Sequence, residues 1–105
     1  MLRRTTLPIF LTYLAFAAQL VDANPIRYVA IGDSYTVATG IDEKDSWPSQ
    51  LTQKLKTAGI EINLIEILGM RGATSQQTLN EVIPLLKNLK PEFISLLIGV
   101  NDWIR

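Results

Sequence analysis

The sequence predicts an α/β protein built on a parallel sheet, and three observations carry the prediction. Three short apolar runs of strand type, at 27–31, 60–68 and 93–98, alternate with two segments of helical period, at 47–58 and 75–89. Each run is bounded by turn residues, and each ends in a polar loop that contains glycine. Strand, helix, strand, helix, strand in this order is the pattern of βαβ units with right-handed crossovers.

The elements follow in order. Arg3 and Arg4 precede an apolar stretch from Leu7 to Val21, and Val21-Asp22-Ala23 ends it with a small residue. A positive start, a short apolar region and a small-residue site mark a secretory signal, here residues 1–23 with cleavage before Asn24. Ala15-Phe16-Ala17 is a second candidate site. About 15 apolar residues are short for a membrane span, which needs about 20. Residues 24–105 are expected to form one partial domain, exported to the periplasm or secreted, with no stable membrane span after cleavage.

Tyr28-Val29-Ala30-Ile31 reads as a buried first strand. Trp47-Pro48 opens the first helix, with Ser46 as N-cap and Pro48 in the first turn, where its missing N–H costs nothing. Leu51, Leu55 and Ala58 form its apolar face, and Gly59 ends it. Ile60, Ile62, Leu64, Ile65, Ile67 and Leu68 predict a second strand buried on both faces. Ser75 is the expected N-cap of the second helix, whose apolar side carries Leu79, Val82, Ile83 and Leu86. Pro84 should kink or interrupt it, and Pro91 marks its stop. Phe93 to Ile98 is the third strand.

Composition excludes several function classes. Lys plus Arg and Asp plus Glu both total 10 in 105 residues. Without Arg3, Arg4 and Asp22 the exported part carries 8 basic and 9 acidic side chains, so no electrostatic footprint for nucleic acid exists. Cysteine and histidine are both absent. That removes disulfides, thiolate catalysis and the usual transition-metal ligands, and no carboxylate cluster offers an all-oxygen site. Neither a cofactor nor a metal is expected.

The chemistry is read from the strand ends, which a parallel sheet brings to one edge, where such sheets place their ligands. Gly32-Asp33-Ser34 follows the first strand, Gly69 to Ser75 the second, and Gly99-Val100-Asn101-Asp102 the third. Attack on an ester carbonyl needs a nucleophile and donors aimed at the developing oxyanion. Ser34 supplies a hydroxyl and its own backbone N–H. Gly72 supplies a second backbone N–H where main chain must approach closely. Asn101 supplies a side-chain amide donor that an ionised Asp102 does not. Each segment alone has a plain reading: a turn at Gly-Asp-Ser, a loop and N-cap at Gly-Ala-Thr-Ser, an Asx turn at Asn-Asp. Trp47 alone reads as core packing. Their order on three successive strand ends is what points to catalysis.

These blocks resemble the SGNH (GDSL-type) hydrolase family over about residues 26–105. Gly32-Asp33-Ser34-Tyr35 is similar to its first block, Gly72-Ala73-Thr74-Ser75 to its second, and Gly99-Val100-Asn101-Asp102 to its third. In motifs the chain looks closest to the bacterial thioesterase I / lysophospholipase-like esterases. The resemblance implies a three-layer α/β/α (flavodoxin-like) fold and a hydrolase of small acyl esters, thioesters or lysophospholipids. It implies Ser34 as nucleophile, Gly72 and Asn101 as oxyanion donors, and Gly32, Asp33 and Gly99 as supporting residues. The family's last block, Asp-x-x-His, supplies the base, and no such block occurs here. The family's sheet order of 2-1-3-4-5 makes the third strand an open apolar edge in this chain, prone to pairing or aggregation. The 105 residues therefore look like a truncated product or a fragment, with at most trace activity alone. The competing expectation is a non-catalytic flavodoxin-like module holding a phosphate or nucleotide after the first strand. That loop has Gly32 and Gly40 but no Gly-x-Gly-x-x-Gly and no Gly-Lys-Ser/Thr.

Overall fold

The computed structural model describes residues 24–104. The expected export signal at 1–23 lies outside the described residues. Strand β1 (Ile26–Gly32) is central, with β2 (Ile62–Gly69) and β3 (Phe93–Leu97) parallel on either side, giving the order β2-β1-β3. Helix α1 (Trp47–Thr57) connects β1 to β2, and a helical segment at 75–89 connects β2 to β3. The first crossover steps to one side of β1 and the second steps back across it. Crossovers of one hand that run in opposite directions put their helices on opposite faces.

The core confirms that layering. Tyr28 and Ala30 face α1, packing with Ile62, Leu51 and Leu55. Val29 and Ile31 face the other way, against Val82, Ile83, Leu86 and Leu89. All four β1 residues are buried, which is why this strand reads as an unbroken apolar run rather than an alternating one. Burial raises the pKa of the Tyr28 phenol, and its hydrogen bond to Ser95 Oγ, at 2.7 Å, only partly opposes this. The Tyr28 ring also lies 4.9 Å from that of Phe93, tying β1 to β3 on the same face.

The second strand departs from expectation. Only Ile62 is buried; Leu64, Ile65, Ile67 and Leu68 are half-buried, and Ile60 lies before the strand and is exposed. The cause is position, since β2 has β1 on one side and no partner on the other among the described residues. Its pairing slips between Tyr28–Leu64 and Val29–Glu66, leaving Ile65 as the extra residue of a bulge. The bulge changes which residues share a face, so Ile67 joins Ile62 and Leu64 toward α1 while Leu68 joins Ile65 opposite.

Helix α1 forms as its sequence directs. Ser46 Oγ accepts the Ser49 N–H at 3.4 Å, and Pro48 sits buried in the first turn. Ala58, expected on the apolar face, is instead the exposed C-cap.

The 75–89 segment is more irregular than a kinked helix. Ser75–Gln77 is one α-turn, Thr78–Val82 a π-turn, Ile83–Leu85 a 3₁₀-turn and Leu86–Leu89 a closing α-turn. Pro84 has no N–H to return to the preceding turn, and the wide turn just before it absorbs that defect. Thr78 and Val82 take the buried face, so Leu79, expected in the core, is turned out to solvent. The N-cap is Thr74, not Ser75. Its extended backbone lets Oγ1 accept the Gln77 N–H at 3.2 Å while Gln77 Oε1 accepts the Thr74 N–H at 3.0 Å, a complete capping box. At the far end the Arg27 side chain donates to the carbonyls of Leu89, at 2.6 Å, and Lys90, at 3.3 Å. Thr74→Ala is expected to lower stability by about 1 kcal/mol, read as a lower urea midpoint with unchanged slope.

Candidate active site

The three strands end at one level. Gly32 pairs with Gly69 on one side and with Leu97 on the other. Ser34 follows two residues after this line, Gly72 three residues after it and Asn101 four. The connection from β1 leaves toward β2, away from β3, so the strand ends of β1 and β3 border the edge at which parallel α/β sheets bind their ligands.

The turn after β1 is built around Asp33 and Thr36, both fully buried. Asp33 Oδ1 accepts the Tyr35 N–H at 3.0 Å, and its carbonyl accepts the N–H groups of Thr36 and Val37, each at 3.0 Å. Trp47 Nε1 donates to Thr36 Oγ1 at 3.3 Å, so the first residue of α1 braces the turn from behind. A Cβ on Gly32 would collide with the Thr36 hydroxyl and lie 2.6 Å from the Leu97 carbonyl. Glycine there lets the turn fold back over β1 and against the end of β3. Ser34 emerges half-buried at the top, between the buried Asp33 and the exposed Tyr35.

The loop after β2 contains Gly72 at φ +73°, a left-handed conformation that a side chain would strain. The Ala73 N–H donates to the Met70 carbonyl at 3.1 Å, closing a tight turn around it. Ala73 itself is buried. The loop after β3 is a single 3₁₀-turn, Val100–Trp103, preceded by Gly99.

The structure joins these last two loops side chain to main chain. Asn101 Nδ2 donates to the Ala73 carbonyl at 2.9 Å. The amide has two N–H groups, and this bond uses one. Asp102 makes a second connection: Oδ1 accepts the Ser75 N–H and Oδ2 accepts the Ser75 hydroxyl, both at 2.7 Å. Those two donors hold the Asp102 carboxyl below the usual carboxylate range, the Ser75 hydroxyl contributing most. Sequence reasoning missed this pair. Its only signal was a serine next to a better N-cap, Thr74, which left the Ser75 hydroxyl available. Among the described residues no group of acidic side chains could hold a metal ion, and no helix is long and apolar enough to cross a membrane.

Comparison with known proteins agrees with this geometry. The GDSL-like lipase/acylhydrolase family model matches residues 30–105. The chain is 30% identical over 97 residues to the thioesterase 1/protease 1/lysophospholipase L1 of Escherichia coli K12, covering 92% of this chain and 43% of that protein. It is 29% identical over 77 residues to esterase TesA of Pseudomonas aeruginosa, covering 73% and 38%. It thus spans less than half the length of these relatives. Among solved structures, AlinE4, an SGNH-hydrolase family esterase, superposes with a TM-score of 0.68 at 27% identity, over 81% of this chain and 46% of that one. A psychrotrophic esterase EstA from Pseudoalteromonas, inhibited by monoethylphosphonate, gives 0.63 at 26% identity, over 75% and 43%. The three-layer fold, its strand-end loops and these matches lead to one assignment: the chain belongs to the GDSL-like lipase/acylhydrolase family and is a hydrolase by family.

Proposed function

We propose that this chain carries the nucleophile and oxyanion half of an exported serine esterase acting on small acyl esters, thioesters or lysophospholipid-like substrates. Ser34 Oγ attacks the acyl carbon, and its proton passes to a base. The backbone N–H groups of Ser34 and Gly72 and the free N–H of Asn101 Nδ2 receive the developing oxyanion. The tetrahedral intermediate collapses with loss of the alcohol or thiol, and water releases the acyl group in a second round. Gly32, Asp33 and Gly99 support the two loops from which Ser34 and Asn101 project.

The observation that carries this reading is the Asn101–Ala73 bond. It holds the candidate amide donor beside the Gly72 loop, at the same sheet edge as Ser34. Relatives named for thioester and lysophospholipid hydrolysis support the substrate class. Arg3, Arg4 and the apolar stretch from Leu7 to Val21 support export. With no histidine among the 105 residues, they supply no imidazole to act as that base, and a serine hydroxyl without a positioned base is a weak nucleophile at neutral pH.

Two measurements test the proposal. The 105-residue chain is expected to hydrolyse p-nitrophenyl acetate no faster than its Ser34→Ala variant. With imidazole added as an external base, a p-nitrophenyl alkylphosphonate is expected to label Ser34. An Oγ–P bond forms, p-nitrophenolate leaves and imidazole takes the proton. Mass mapping should find the adduct on Ser34 in preference to Ser46, Ser49, Ser75 and Ser95. Labelling spread evenly over these serines, or unchanged in Ser34→Ala, would refute the assignment.

A further inference from the structure

We propose that Asp102 is a positioning residue that sets the Asn101 amide in the oxyanion site, by clamping the turn after β3 to the head of the 75–89 segment. This rests on the reading of Asn101 as an oxyanion donor. The need for a clamp follows from how little else holds the turn. Val100 is half exposed, and Trp103 and Ile104 are largely so, Trp103 at 93%, so among the described residues little apolar contact packs Val100–Trp103 against the body. Main-chain bonds inside the turn, Asp102 N–H to Gly99 carbonyl at 3.0 Å and Ile104 N–H to Asn101 carbonyl at 3.2 Å, shape it without fastening it elsewhere. Among the described residues its hydrogen bonds to the rest of the fold come from the side chains of Asn101 and Asp102.

A single bond from Asn101 to Ala73 fixes a distance but leaves rotation about that bond open. The Asp102 carboxylate adds two more bonds, both to Ser75, two residues further along the same loop. Three hydrogen bonds from consecutive residues to positions 73 and 75 define orientation as well as separation. The two to Asp102 are short, at 2.7 Å, and lie exposed at the surface, so their contribution is to geometry, two donors of one residue held by one carboxylate. The other end is firm, because Ala73 is buried and Thr74 and Gln77 lock the first turn through their capping box. Ser75 is free for this role because Thr74 takes the capping one. The clamp therefore transmits the rigidity of the β2 loop to the amide that must meet the oxyanion.

The test uses the 105-residue chain with phosphonate and imidazole, and two readouts: the rate of Ser34 labelling and the Asn101 side-chain amide signals in ¹H–¹⁵N NMR, identified by their loss in Asn101→Ala. In the parent chain the two Asn101 amide protons should be well separated, one of them bonded to Ala73. Asp102→Ala is expected to bring them toward solvent-like positions and to slow labelling by about 10- to 100-fold, the scale of a misplacement near 1 Å. Asp102→Asn is expected to restore most of both, because its amide oxygen still accepts the Ser75 N–H and its NH₂ donates to the Ser75 hydroxyl. Ser75→Ala, which removes one bond of the clamp, should fall between. If circular dichroism shows Asp102→Ala unfolded, Ser75→Ala and Asp102→Asn decide. Parent-like amide signals and labelling rates in the clamp variants would overturn the proposal. Should Asn101→Ala leave labelling unchanged, the oxyanion reading falls, while the amide shifts still report whether Asp102 positions Asn101.

Discussion

Asn101→Ala is expected to slow imidazole-assisted labelling of Ser34 by about 10²-fold or more, the loss seen when one oxyanion donor is removed. Alanine keeps the backbone of the turn and deletes both amide hydrogens, the one given to Ala73 and the one proposed for the oxyanion. The first loss also leaves the carbonyl of a buried residue short of a partner, so stability should fall by about 1–3 kcal/mol as well. Asn101→Asp separates the two effects from simple loss of bulk. It keeps the size of the side chain but turns acceptor oxygen toward both the Ala73 carbonyl and the oxyanion, and should slow labelling at least as much. The rates are read by mass spectrometry and the stability by urea titration. A variant that melts like the parent and labels like the parent would remove Asn101 from the site.

Gly32→Ala is expected to produce a large loss of stability. The new Cβ would lie 2.6 Å from the Leu97 carbonyl and 2.6 Å from Thr36 Cβ, and closer still to the Thr36 hydroxyl. None of these neighbours yields easily. The carbonyl belongs to β3 beside its pairing with β1, and Thr36 is fully buried with its hydroxyl accepting from Trp47. Overpacking of this kind costs about 1–3 kcal/mol and occasionally more, against a total of about 5–15 kcal/mol for a typical domain. The urea midpoint should fall sharply, and Ser34 labelling should fall with it in the folded fraction, because the displaced turn carries the serine. A midpoint within error of the parent would show that the turn relaxes away from β3 at little cost.

Much of the fold was legible because it depends on local pattern. The unbroken apolar run at 28–31 announced a strand covered on both faces, and Tyr28, Val29, Ala30 and Ile31 are indeed all buried, the most exposed of them at 1%. Ser46, Pro48 and Gly59 marked the ends of α1 within a residue. The misreadings of burial share one physical origin. Ile60, Leu79 and Ala58 are apolar residues at the right spacing that the fold leaves exposed. Apolar periodicity says which face is fit for burial, while neighbours decide whether anything covers it. The bulge at Ile65 and the π-turn before Pro84 shift those faces by one position, a shift no fixed period contains.

At the candidate site the division is sharper. The sequence by itself determined the candidate groups and their order: a serine, a glycine and an asparagine, each just past a strand, and no histidine among the 105 residues. It also determined that those strand ends share one edge, because short parallel βαβ units leave no other arrangement. Only the tertiary structure decided which groups meet across that edge. Asn101 reaches Ala73 over a separation of 28 residues, and Asp102 reaches Ser75 over 27. Such bonds depend on the relative height of two loops and on which of two adjacent hydroxyls takes the helix cap. Thr74 takes it with Gln77 and Ser75 is left for Asp102, a competition that residue spacing alone does not express.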